Sequence, residues 1–158
     1  TGILSRWRGL HACFGFGETL VGDSNGNAVY RLSDTDYKDE KPDESGDWWI
    51  LRERAFGHQG AEGKVVQYLN FELHGRKGVG TVTGQGVDPV VMLTWSDDGG
   101  MTWGSSEELS VGALGQYDFQ MIAHLCGQGR DRMWRLRMTD PIPLAWTMAT
   151  GDVRVLAR

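Results

Sequence analysis

Turn-forming residues interrupt this sequence every few positions, and that limits its possible folds more than any other feature. Twenty-three glycines are scattered through 158 residues without a collagen-like period, against an average usage of about 7%. An amphipathic helix needs an apolar stripe recurring at three- to four-residue intervals over several turns. No segment between the turn signals sustains one. What remains is a set of short antiparallel strands, so the expected fold class is all-β.

The stretch "GLHACFGFGETLVGDSNGNAVYRLSD" divides into strands at Leu10 to Phe16, Thr19 to Asp23 and Ala28 to Leu32. Gly17-Glu18 separates the first two, and Ser24 to Asn27 separates the next two. Asn25-Gly26 reads as a type I′ turn, since both residues tolerate positive φ. Three such strands form a meander resembling most of a propeller blade. The acidic run Ser33 to Asp47 begins like a calcium loop, but Asp39 and Ser45 stand where an EF-hand needs glycine and glutamate, so a solvated loop is expected.

Strand character resumes from Trp48 to Phe56, and His58 to Lys64 reads as a glycine-rich connector. In "KVVQYLNFEL", Val66, Tyr68, Asn70 and Glu72 share one face, with Val65, Leu69, Phe71 and Leu73 on the other. Val90 to Trp95 is almost continuously apolar, as expected when both faces are covered. Phe119 to Cys126 and Arg132 to Thr139 follow, the latter with Trp134, Leu136 and Met138 inward and Arg135 and Arg137 outward. Asp140-Pro141 stops that strand, and Val153 to Leu156 is either another strand or an arm on a neighbour. The expected organisation is a propeller-blade-like N-terminal meander over 1–60, a β-sandwich-like domain over 64–145, and a C-terminal arm over 146–158.

A net charge of −5 and a pI near 5.3 argue against a general nucleic-acid binder, which needs a basic footprint. No apolar run approaches the roughly 20 residues that span a bilayer, so no membrane partner is expected. No secretory signal is visible, and a start at Thr1 without methionine reads as processing or a fragment. Cys13 and Cys126 read as two buried, reduced thiols, with pairing left open. His11, His58, His74 and His124 show no ligand spacing, so neither a metal nor another cofactor is expected. No serine lies in a nucleophile elbow, and "GFGETL" and "GVGTVTG" miss the dinucleotide spacing.

The densest turn chemistry is "WSDDGGMTW". Its Ser96, Asp98, Gly100, Thr102 and Trp103 resemble the Asp-box, a hairpin motif of propeller blades, including those of sialidases. Asp98 can accept from backbone N–H groups that the turn leaves unpaired, and Gly99 and Gly100 supply angles closed to other residues. Glycoside hydrolysis needs two carboxyl groups about 5–10 Å apart facing one cleft. Adjacent Asp97 and Asp98 point to opposite sides of an extended backbone. The hairpin therefore reads as structural, and no catalytic residue is expected. "RDRMWRLR" is the one basic patch, read either as a solvated strand face or as a docking or DNA-facing strip.

From about Gly9 the order of motifs resembles the packaged-DNA stabilization proteins of short-tailed phages, the head-to-tail hub or nozzle components. "LVGDSNGNAVYRL", "NFEL", "GVGTVTGQGVDPVVMLTWSDDGGMTW", "GQY" and "GQGRDRMWRLRMTDPIP" carry the resemblance. The family pattern lies near the C-terminal end of a longer, mostly propeller protein, so the chain looks like a C-terminal portion or a shortened relative. Family members commonly carry more arginine where this chain reads "MIAHLCGQG", and the tail after Pro143 is longer than expected.

The resemblance implies a structural virion protein assembled in the host cytoplasm. It would form a homo-oligomeric ring below the portal, beside other portal and tail proteins, extending the channel and retaining packaged DNA until ejection. Non-specific contact with genomic DNA is part of that picture, and an acidic wall would let DNA pass without sticking. Arg130, Arg132, Arg135 and Arg137 are implied at subunit contacts or along the channel. The alternative is a carbohydrate-binding or glycan-cleaving β-domain for host attachment, with Trp48 and Trp49 stacking on sugar rings. An unrelated β-sandwich interaction module is the third reading.

Overall fold

A computed structural model describes residues 9–40 and 47–156. Part of the acidic run (41–46) and the ring of Trp48 lie outside the described residues. Contacts divide the chain into two units, the first ending at Asp36 and the second beginning at Tyr37.

The first unit is a meander of β1 (Gly9–Gly15), β2 (Glu18–Asp23) and β3 (Val29–Leu32), paired antiparallel in that order. The expected strands are present, but the turn chemistry differs. Left-handed angles fall at Phe16 (φ 56°) and Gly17 (φ 81°), which join Gly15 to its partner Glu18 in a two-residue loop. That is where the primed turn sits. The Asn25-Gly26 loop is held otherwise: Asp23 accepts from Asn25 N at 3.0 Å, and Asp23 N donates to Ala28 O at 3.0 Å. Both faces of this sheet are largely exposed. Val21 is its one buried apolar residue among those described, while Phe14, Phe16, Val29 and Leu32 face solvent.

The second unit opens with a hairpin of β4 (Lys38–Glu40) and β5 (Asp47–Trp49). There follow β6 (Arg52–Ala55), β7 (Gln59–Gly60), β8 (Val66–Tyr68), β9 (Asn70–Gly75), β10 (Val90–Ser96) and β11 (Glu107–Ser110). The series ends with β12 (Met121–His124), β13 (Gln128–Gly129), β14 (Asp131–Met138), β15 (Trp146–Thr150) and β16 (Val153–Val155). One sheet runs β11-β10-β14-β6, with β7 also on β14. Facing it are β12-β9-β15 and β13-β8-β16. These are one three-strand layer with every strand broken at the same level.

The break explains why the apolar pattern from Val65 to Leu73 misled the parity reading. Val66 and Tyr68 are buried, and so are Phe71 and Leu73. A continuous strand cannot place both pairs on one face, because side chains alternate. An irregularity at Leu69 resets the alternation, as bulges do. Its backbone is satisfied across the gap: Leu69 N donates to Asp152 O, and Leu125 N donates to Leu69 O. Asn70 clamps the level, donating to the Asp152 carboxylate at 2.8 Å and accepting from Asp152 N at 2.8 Å.

The core lies between the layers. Leu93 pairs with Leu136 and Trp95 with Trp134 in adjacent strands, and Phe71 packs on Trp134 with ring centroids 4.8 Å apart. Three sequence expectations change here. β10 is not covered on both faces, since Met92 points to solvent. The boundary expected at His58 to Lys64 falls inside the sandwich, because β6 and β7 pair with β14. The segment expected as an arm supplies β15 and β16, which pair with β9 and β8.

Candidate functional site

The hairpin from Ser96 to Trp103 folds around one carboxylate. Thr102 N donates to both oxygens of Asp98, at 2.9 and 3.0 Å, and the Thr102 hydroxyl donates to Oδ2 at 2.5 Å. The Ser96 hydroxyl donates to Oδ1 at 2.6 Å while accepting from Gly100 N at 2.8 Å. Gly99 and Gly100 take φ of 74° and 89°, a region that side chains rarely tolerate. The Trp103 ring would touch a Cβ placed on Gly100, so it closes the turn from one side. Hydrogen bonds from Ser96, then Thr102, hold the Asp98 carboxyl down at a pKa of about 2, because each donor stabilises the ionised form.

Asp97 turns the other way, toward Arg132. Arg132 donates from Nε and Nη2 to the two Asp97 oxygens, both at 2.7 Å, in a bidentate fork. The Arg132 side chain is 1% exposed, against 37% for Asp97. Its remaining donors reach Cys126 O and Gln128 O, and its guanidinium lies 4.3 Å from the Tyr68 ring centroid, 5.3 Å from Trp95 and 5.2 Å from Trp134. A buried cation is tolerated only when paired and hydrogen-bonded, and this one has a bidentate carboxylate partner and four of its five N–H groups bonded. Burial raises the Tyr68 pKa, and the Tyr68 hydroxyl donates to Gln59 O at 2.7 Å.

Arg132 was expected at an interface or channel; that expectation is corrected, since the side chain lies inside the sandwich. The other arginines are placed differently. Arg130 is exposed and donates to Gly63 O at 2.6 Å. Arg135 stacks 3.9 Å from the Trp103 ring centroid on the outer face of the sheet, where burial lowers its pKa. Arg137 pairs with Glu53 at 2.5 Å. The structure therefore joins the Asp-box to Arg132 and Arg135 and leaves Arg130 and Arg137 apart from it.

Sequence reasoning missed the Asp97–Arg132 pair, although strand parity held the signal: Arg132 shares a face with Trp134, Leu136 and Met138. Chemically, the two adjacent carboxylates are committed to separate structural tasks and do not converge on a cleft. Among the described residues no group of three or more His, Cys, Asp or Glu is arranged to hold a metal ion. Both cysteines are free, but only Cys126 is buried. Cys13 is exposed, contrary to the expected pair of buried thiols, and burial raises the pKa of Cys126.

An antiparallel β-sandwich whose acidic hairpin is tied up in internal hydrogen bonds and one ion pair is the class this geometry defines. The family model described as "Bacteriophage P22 Gp10, beta-sandwich" matches residues 52–154, a span running from the first residue of β6 into β16. The chain belongs to that family, and with it to the structural proteins of the phage head-to-tail region. Among the curated proteins, none matches the chain.

Proposed function

We propose that the protein works as a ring of copies below the portal, extending its channel and retaining packaged DNA until ejection. The observation carrying this reading is the family match over the whole sandwich, joined to a hairpin whose carboxylates hold backbone and a buried arginine. A wall component needs stiffness more than chemistry, and that arrangement supplies it. The first unit supports an assembly role, since its sheet leaves Phe14, Phe16, Val29 and Leu32 uncovered, and exposed sheet edges invite pairing unless neighbours cover them. This reading assigns Arg130, Arg135 and Arg137, whose side chains are not buried, to a subunit contact or the channel. The net charge of −5 suits a channel wall that repels phosphate.

Sedimentation velocity over a hundredfold concentration range tests the ring. Closed oligomers growing in with concentration are expected, and a monomer throughout contradicts it. One observation favours a second reading, host-glycan binding: Trp49 is partly exposed, with Lys38 Nζ 4.8 Å from its ring centroid. Clear glycan-array hits abolished by Trp49→Ala would favour that reading over the ring.

A further inference from the structure

The sandwich is closed along one flank, where β11 and β12 touch, and open along the other. Between β6 and β15 lies a cavity of about 450 Å³ whose walls include Phe56, Leu144, Trp146 and Met148, with Arg52 and Arg54. Three features of this flank go beyond a packing gap.

First, among the described residues no strand pairs with the outer edge of β6. Phe56 N donates to Trp134 O at 2.8 Å, and the register places Arg54 opposite Leu136 and Arg52 opposite Met138. Hydrogen-bonded and non-bonded pairs alternate along an antiparallel ladder. The N–H and C=O groups of Glu53 and Ala55 therefore point away from β14, toward the open flank. Second, two buried donors, Arg52 Nε and Trp146 Nε1, have no hydrogen-bond partner among the described residues, although buried polar groups are normally satisfied. They stand on opposite walls of the cavity. Third, Arg54 shares the inner face of β6 with Phe56, whose ring packs 6.3 Å from that of Phe71. Arg54 is nevertheless exposed and pairs with no carboxylate among the described residues. An inward-facing charge on an edge strand deters indiscriminate pairing, and it favours a strand carrying the opposite charge at that position.

We propose that this open flank is a docking groove for an extended, acidic segment of a partner polypeptide, which adds to β6 as a further strand. Its backbone pairs with Glu53 and Ala55, a carboxylate meets Arg54, and an apolar side chain fills the cavity; as the walls part to admit it, its carbonyl oxygens reach the buried Arg52 Nε and Trp146 Nε1. Such strand addition takes affinity from main-chain hydrogen bonds and specificity from alternate side chains. The inference rests on the assembly reading only in expecting a protein partner.

The test uses the full chain and a blocked hexapeptide alternating valine and glutamate, followed by nuclear magnetic resonance. Binding should shift the amides of Glu53 and Ala55 and the Trp146 indole N–H, and should slow amide exchange at the first two. Arg54→Glu leaves an exposed position folded and should weaken binding about tenfold, the equivalent of 1.4 kcal/mol. A valine–lysine hexapeptide should then bind the variant better than the wild type. The proposal is overturned by shifts elsewhere, by no shifts at millimolar peptide, or by equal binding of both peptides to both proteins. It is also overturned if the two amides become protected with rising protein concentration and no peptide, because a second copy would then be the occupant. Sedimentation keeps the readings apart: rings without peptide binding remove the groove alone, and binding without rings removes the ring alone.

Discussion

Asp97→Asn tests the buried ion pair while nearly preserving shape. The asparagine amide can satisfy one of the Arg132 donors but cannot neutralise the guanidinium. Removing one partner of a buried pair costs about 3–5 kcal/mol. Water reaches the partly exposed Asp97 end, so a loss of about 2–3 kcal/mol is expected on that scale. With a urea slope near 2 kcal/mol/M, within the usual range for small proteins, the midpoint should fall by about 1–1.5 M. Gly129→Ala attacks the same pair from the backbone side, because a Cβ there would lie 2.8 Å from Asp97 Cγ and closer to one of its oxygens. It should be as damaging alone, yet add less than about 0.5 kcal/mol in an Asp97→Ala background, since coupled sites are not additive. An Asp97→Asn midpoint within 0.2 M of wild type, at unchanged slope, would refute the argument. So would full additivity of the two alanine substitutions.

Asp98 stays ionised in the fold down to about 2, against an ordinary value of 3.8. The unfolded chain therefore binds more protons between those values, so stability falls as pH drops through that window. Acid unfolding should show this component in the wild type and lack it in Asp98→Asn. Phe16 adopts φ 56° at a fully exposed loop tip (101%), so Phe16→Gly should relieve about 1 kcal/mol of left-handed strain, read as slower amide exchange in β1 and β2. A thiol reagent should titrate Cys13 in the native protein and reach Cys126 only on unfolding, since one is exposed and the other buried.

Much of the fold was legible because local chemistry and tertiary structure agree. The meander, the Asp-box and the alternation of Trp134, Leu136 and Met138 all follow from turn residues and the period of two. Three of the readings that failed did so for separable reasons. Arg132 was judged by its charge, although its parity placed it with the core; the compensating carboxylate lies far upstream and only the fold brings it near. The break at Leu69 carries no glycine or proline of its own. Its cause sits in the neighbouring strands, where Leu125 and Gly127 take left-handed angles and a Cβ on Gly151 would lie 2.7 Å from Asn70 O. Asn25-Gly26 has the stronger intrinsic preference for a primed turn, but the Asp23 carboxylate captures the Asn25 amide, so that loop closes differently. The open flank was illegible for a simpler reason: strands show their pattern in sequence, and gaps between sheets do not.

The guanidinium inside the sandwich ties parts that sheet pairing leaves separate. It belongs to β14, grips the end of β10 through Asp97, holds the carbonyls between β12 and β14, and lies against Tyr68 of β8. Tension on the acidic hairpin would thus cross to the opposite layer through a single cation, instead of peeling one strand from its neighbour. Opening the two layers at that end would mean pulling a charge out of a ring of aromatics, and that makes this end the natural one to bear load.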